Sequence, residues 1–260
     1  MLSSVLFVVG LFAGMLALLE FGRKCGLRDY AKDSEHSGKG LGPLVGALFG
    51  LMGLLVAFTF SGAGARFDAR RHLIVEETNA IGTAYLRLSL LPAESQPTLR
   101  ASFRQYLDSR VDFYRNLADN PETAQTARER SERLQEQIWN QAVEATRLVG
   151  AEANANAVTS LVIQSINQMI DLTTTRMVAL QIHPPTPVYL LLAVLVLACS
   201  MLAGYETAAR KTRSWIHVLG FAVIVSGSIL LILDYEYPRF GFIRVDATDQ
   251  VLVDLRHTMR

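Results

Sequence analysis

Cysteine is nearly absent from this chain. Its two cysteines, Cys25 and Cys199 among 260 residues, set up no disulfide framework. Net charge is missing as well: a formal +1, with no basic tail and no basic stretch interleaved with aromatics, excludes a nucleic-acid-binding protein. Catalytic signatures are lacking too. There is no glycine loop ending in Lys-Ser/Thr, no Gly-x-Ser-x-Gly elbow and no His-Glu-x-x-His. The Glu-x-x-His pairs that a di-iron helical bundle needs are also missing. Asp68 and His72 share one helical turn, but two donors make a poor metal site, and an ion pair of Asp68 with Arg71 or Arg66 is the better reading. The expectation is therefore a protein with no catalytic residues, no metal and no cofactor.

What the chain has is apolar sequence gathered into blocks. Half of all residues are hydrophobic and only 19% are charged. Four blocks stand out, Leu2–Phe21, Leu41–Ala65, Val188–Tyr205 and Trp215–Leu233. Each approaches the roughly 20 residues a helix needs to cross a bilayer. The lead Met1–Ser4 carries no positive charge and no Ala-x-Ala-like site follows, so the first block reads as a retained anchor instead of a cleaved signal. The polar loop 23–40 separates spans one and two. Its Asp33-Ser34-Glu35-His36 run reads as solvated charge, not a ligand set.

Between spans two and three the apolar positions keep a helical period without strand-like alternation. Ile74, Ile81, Ala84, Leu88 and Leu91 share a face until Pro92 stops it. Leu99, Phe103, Tyr106, Phe113 and Leu117 mark a second helix from about Pro97. Asn120-Pro121-Glu122 is a helix-start signal, opening a third helix that Gly150 ends. A fourth runs from about Ala153 to the proline-rich His183–Pro187. Its polar run Asp171–Arg176 reads as bundle surface or subunit contact. The fold class expected is an all-α integral membrane protein, four transmembrane helices with a soluble four-helix bundle inserted between spans two and three. Its parts are 1–65 (spans one and two), 66–186 (bundle), 187–234 (spans three and four) and 235–260. The last is an amphipathic C-terminal segment docking near the bundle.

Orientation follows from short loops. Five Lys/Arg lie in Arg23–Gly40 and three in Glu206–Ser214, which places both loops in the cytoplasm by the positive-inside rule. The bundle and both termini then face the periplasm of a bacterial inner membrane.

Span two, the uncharged run Leu41–Ala65, organises the chain. Gly42, Gly46 and Gly50 repeat at spacing four and Gly53 continues the bare stripe. Such a stripe lets another backbone approach closely, either elsewhere in the same chain or around a symmetry axis. Phe58, Thr59, Phe60 and Ser61 alternate aromatic and hydroxyl groups just before the charged set Arg66, Asp68, Arg70 and Arg71. Around an axis the first four would form a narrow neck and the last four a mouth that concentrates anions. Within one chain they are core aromatics and interfacial arginines.

Several stretches resemble the bacterial membrane family with a bestrophin-like domain. They are Phe58-Thr59-Phe60, Arg66–Arg71, and the block from Glu76 and Glu77 through Asn79, Gly82 and Arg87. Leu91-Pro92 and the later stretch of Pro238, Arg239 and Arg244, with Asp254-Leu255-Arg256, belong to the same pattern. The resemblance implies kinship with bestrophins, pentameric anion channels whose second span lines the pore and whose termini are cytoplasmic. The leading expectation is an oligomeric, anion-conducting channel in a lipid bilayer. Span two would line its path for inorganic ions and the bundle would form a vestibule. The alternative is a membrane-anchored sensor or scaffold whose bundle binds a ligand or partner protein.

Overall fold

A computed structural model describes residues 2–32, 42–149, 155–208 and 215–259. All regular structure among these residues is helical, with no strand. The helices are α1 (Leu2–Lys32), α2 (Gly42–Arg87), α3 (Gln96–Asn116), α4 (Pro121–Arg147), α5 (Ala155–Gln181), α6 (Thr186–Thr207), α7 (Trp215–Glu236) and α8 (Asp246–Thr258). Four helical runs are long and apolar enough to cross a membrane: Ser4–Lys32, Gly42–Leu90, Ala155–Thr207 and Trp215–Glu236. The Asp33–His36 run, the Gly150 stop and Arg210, Lys211 and Arg213 lie outside the described residues.

The chain divides into two compact units. The first comprises Met1–Phe67 and His183–Tyr237. In it α1 packs along α6 and also touches α7. Its core gathers Leu11 and Met15 of α1, Met52 of α2, Val196 and Cys199 of α6, and Ala222 and Ile229 of α7. Cys25 and Cys199 are both free thiols.

Glycine makes the α1–α6 contact possible. A Cβ on Gly22 would come within 1.9 Å of the Met201 carbonyl oxygen, and one on Gly204 within 2.0 Å of that of Leu19. A Cβ on Gly26 would meet the Ala208 Cβ at 2.6 Å. Two small-xxx-small pairs, Gly22/Gly26 and Gly204/Ala208, thus mesh backbone to backbone. This also corrects the first loop: residues 23–32 are not loop but continue α1, because Gly22 and Gly26 dock on α6 while Lys24 and Arg28 stay in solvent.

The stripe singled out in span two behaves otherwise. A Cβ on Gly42, Gly46, Gly50 or Gly53 would meet nothing within 4 Å. Packing of this stripe inside one chain is therefore excluded among the described residues. The α2 segment packs instead through Leu48, Phe49, Met52, Leu55 and Val56, one helical face against the first unit's core. Phe49 sets its ring 5.6 Å from that of Phe221.

The second unit comprises Asp68–Ile182 and Pro238–Arg260. The remainder of α2 runs to Arg87, and a 3-10 turn at Leu88–Leu90 leads to the Pro92 break. Asn120 caps α4, its side-chain oxygen accepting from the Thr123 amide at 3.2 Å. Ile81, Ala84, Phe103, Tyr106, Ile138, Ile166, Met169 and Leu252 make one continuous core with α3, α4, α5 and α8. Between α8 and α3, Arg256 donates to both Asp108 oxygens at 2.7 and 3.2 Å.

Candidate functional site

Two clusters concentrate the polar chemistry, one in each unit. In the first unit α2 carries the sequence Phe58-Thr59-Phe60-Ser61. Phe58 is 65% exposed, and Phe60 and Ser61 are exposed too. Thr59 is half-buried and its hydroxyl donates to the carbonyls of Leu55 and Val56 at 2.8 and 3.0 Å, so that proton is committed to its own helix. Phe60 and Phe67 both meet the Tyr235 ring edge-on, with centroids 5.7 and 5.1 Å apart.

One turn beyond, Arg66 grips Glu236, whose carboxylate is fully buried at the end of α7. The guanidinium Nε donates at 2.7 Å and Nη2 donates to the same oxygen. His183 lies 3.4 Å from the other Glu236 oxygen and stacks on Tyr237 with centroids 4.7 Å apart. Arg66 thus reads as a clasp that seats α2 against the end of α7.

The expected mouth residues separate. Arg70 is buried in the second unit, where it donates to the carbonyls of Ala179 and Ile182 at 3.0 and 2.9 Å. These are the open carbonyls at the end of α5, the place where a helix favours a cation. Arg70 therefore cannot serve as an exposed mouth residue; α5 claims it. Asp68 and Arg71 remain exposed and face each other at 3.7 Å.

The second cluster is built on Glu77. Its carboxylate is fully buried, and one oxygen accepts from Arg110 Nε at 2.7 Å while the other accepts from Arg176 Nη1. Arg176 Nη2 then reaches Asp249 at 2.6 Å, and Arg239 Nη1 reaches the other Asp249 oxygen at 2.8 Å. Tyr114 lies in the middle, with the guanidinium carbons of Arg176, Arg239 and Arg110 at 3.5, 4.8 and 4.9 Å from its ring centroid. Burial works against the charge of Arg110, but the adjacent Glu77 carboxylate outweighs it and holds the guanidinium protonated more firmly than usual. Burial pushes the Tyr114 hydroxyl up, so it stays a neutral hydrogen-bonding group. The chain links α2, α3, α5, α8 and the segment before α8 through paired charge.

This network accounts for much of the Glu76–Arg87 block. Glu77 is its hub, whereas Glu76 and Asn79 are exposed. At Gly82 a Cβ would meet Leu255 of α8 at 3.3 Å, and Arg87 donates to the Leu161 carbonyl at 2.8 Å. Pro238 and Arg239 are buried while Arg244 is exposed. The polar run Asp171–Arg176 is only partly surface. Thr173 and Arg176 turn inward, Thr173 to Tyr106 at 2.7 Å and Arg176 to Glu77. Sequence reasoning missed this because three consecutive threonines look solvated. The signal that was present is the spacing of Met169, Thr173 and Arg176, which share one face of α5. No group of three or more His, Cys, Asp or Glu able to hold a metal occurs among the described residues.

A family model described as "Bestrophin-like domain" matches residues 9–249. No curated protein matches the chain. Solved structures of a bacterial bestrophin homologue from Klebsiella pneumoniae do resemble it. A tryptophan-to-alanine mutant is 12% identical and covers 96% of this chain and 98% of that one, with a TM-score of 0.68. A tyrosine-to-alanine mutant is 14% identical over 94% and 98%, with a TM-score of 0.64. Another structure, described as a membrane protein with a glycine-to-alanine mutation, is 14% identical over 94% and 97%, again at 0.64. At such identities the structures establish a shared fold. The family match takes in most of α1, all of α2 to α7 and the start of α8, and on that match the chain belongs to the bestrophin-like domain family.

Proposed function

We propose that this protein is an oligomeric ion channel of a bacterial inner membrane, with α2 lining the conducting path and the Asp68–Ile182 helices forming a soluble vestibule. The observation that carries the reading is the exposure of α2. Only 11% of its most apolar stretch is buried by its own chain, against 22–33% for the other three candidate spans. One stripe of the open side, Gly46, Gly50, Gly53 and Ala57, is bare enough for another backbone to approach, and exposed Leu51, Leu54 and Phe58 stand beside it. Copies of α2 around an axis give that face a partner and bring Phe58 to the narrowest point. Family membership points the same way.

Anion preference needs positive charge at the mouth. Arg66 is engaged with Glu236 and Arg70 with α5, which leaves Arg71 as the arginine of that set on the exposed face, beside Asp68. A tenfold KCl gradient reads the sign. A reversal potential near that of chloride supports anion conduction, and one near that of potassium replaces it.

Purified protein in planar bilayers should give unitary currents, and Phe58→Ala should raise their amplitude by about twofold or more by widening a hydrophobic constriction. Silent bilayers across voltage and salt, with a monomeric particle, would sink the channel reading. Charge flanking the spans favours the periplasm for the bundle and termini, whereas kinship with bestrophins implies the cytoplasm. A reporter fused at Gly150 decides, and a cytoplasmic signal overturns the periplasmic assignment.

A further inference from the structure

A cavity of about 220 Å³ opens in the second unit between the end of α3 and the segment running from Arg239 into α8. It belongs neither to the exposed face of α2 nor to the Phe58 neck. Its lining carries both signs of charge: Arg115, Arg239 and Arg244 against Asp119, Asp246 and Asp249.

These charges are not all used up. Arg239 is 4% exposed, and its terminal nitrogens bond Asp249 and, at 3.4 Å, Asp246. Arg115 and Asp119, one turn apart at the rim, are both exposed, and neither has an ion-pair partner among the described residues. Arg244 and Asp246 do pair, but at 3.4 Å and on the surface.

A simple anion entering here meets three carboxylates, and a simple cation meets three guanidiniums. Like charges set side by side reject both. A ligand carrying one charge of each sign meets no such penalty. The size is right for a small metabolite, being below the 300 Å³ or so at which drug-sized sites begin. Val111, Ala118, Leu252 and Val253 add an apolar wall for an uncharged side chain.

The geometry points to a binding site for a free amino-acid zwitterion with a neutral aliphatic side chain. Its carboxylate faces Arg115, its ammonium faces Asp119, and its side chain lies on Leu252 and Val253. Bound there, the ligand bridges α3 to α8 and stabilises the unit by mass action. The site does not depend on conduction, because its occupancy is read without current.

The test is thermal unfolding of the full-length protein in detergent, at fixed ionic strength, with L-leucine as probe. Leucine should raise the midpoint by about 3 °C at saturation. Leucinamide, which lacks the carboxylate, and 4-methylpentanoate, which lacks the ammonium, should not. Arg115→Gln and Asp119→Asn should each abolish the shift while leaving the unliganded midpoint near wild type, since both residues are on the surface. Calorimetry should give one leucine per chain. The proposal is overturned if leucine produces no shift, if 4-methylpentanoate or leucinamide matches it, or if the shift survives both substitutions.

Discussion

Glu77→Gln should cost about 3–5 kcal/mol of folding stability, because it leaves buried guanidiniums without their counter-charge. A domain ordinarily holds only about 5–15 kcal/mol in all. Glu77 is fully buried, and both Arg110 and Arg176 close on it with almost no exposure of their own. Glutamine keeps the shape and one acceptor but places an NH2 donor against a guanidinium donor. Two buried cations then face each other around Tyr114, with Asp249 the carboxylate left to Arg176. The melting midpoint of the detergent-solubilised protein reads the loss. A double-mutant cycle with Arg110→Met separates pairing from packing: strong non-additivity is expected for groups in one network. A midpoint unchanged by Glu77→Gln would mean that water reaches this carboxylate.

The second large effect lies in the first unit. Gly204→Leu should destabilise the α1–α6 pair by about 3 kcal/mol or more, at or beyond the upper end for overpacking. The obstacle is backbone, not a side chain that can swing away: the nearest atoms to a Cβ at Gly204 are the Leu19 carbonyl oxygen, carbon and Cα. The helices have to separate along their whole contact. Gly50→Ala is the matched control, since its Cβ meets nothing in its own chain. It should leave the monomer's midpoint unchanged, and a loss of oligomer on native gels would mark Gly50 as a contact between copies. If Gly204→Leu melts like wild type, the backbone-to-backbone crossing is wrong.

How far the sequence could be read depended on whether a signal was local. The spans followed from uncharged runs, because bilayer thickness sets helix length directly. The α4 start followed from Asn120-Pro121, because capping is satisfied within four residues. Glycine packing within the chain was harder to place for the same reason. The Gly42–Gly50 stripe lies in an uninterrupted apolar run and catches the eye, yet a Cβ added there meets nothing within 4 Å among the described residues. Gly22 and Gly26 bracket Arg23 and Lys24, so the motif reads as a polar loop, and its complement on α6 lies far along the chain. The Arg66–Arg71 cluster is divided for a related reason. Composition shows four charges but not that Glu236 and the end of α5 claim two of them. The Glu77 hub draws partners from α3 and α5, and through Arg176 reaches α8, and no window along the sequence contains them.

The meshing of α1 with α6 also orders events in time. Gly22 and Gly204 are roughly 180 residues apart, so a ribosome adding 5–20 residues per second takes about 10–35 s to supply the second after the first. Throughout that interval the whole Asp68–Ile182 segment is being made, and the glycine face of α1 has no α6 to receive it. Contacts of such long separation form late and slow the assembly that depends on them. The first unit therefore closes only after the helices of the second have emerged, and the helix made early waits longest for its partner.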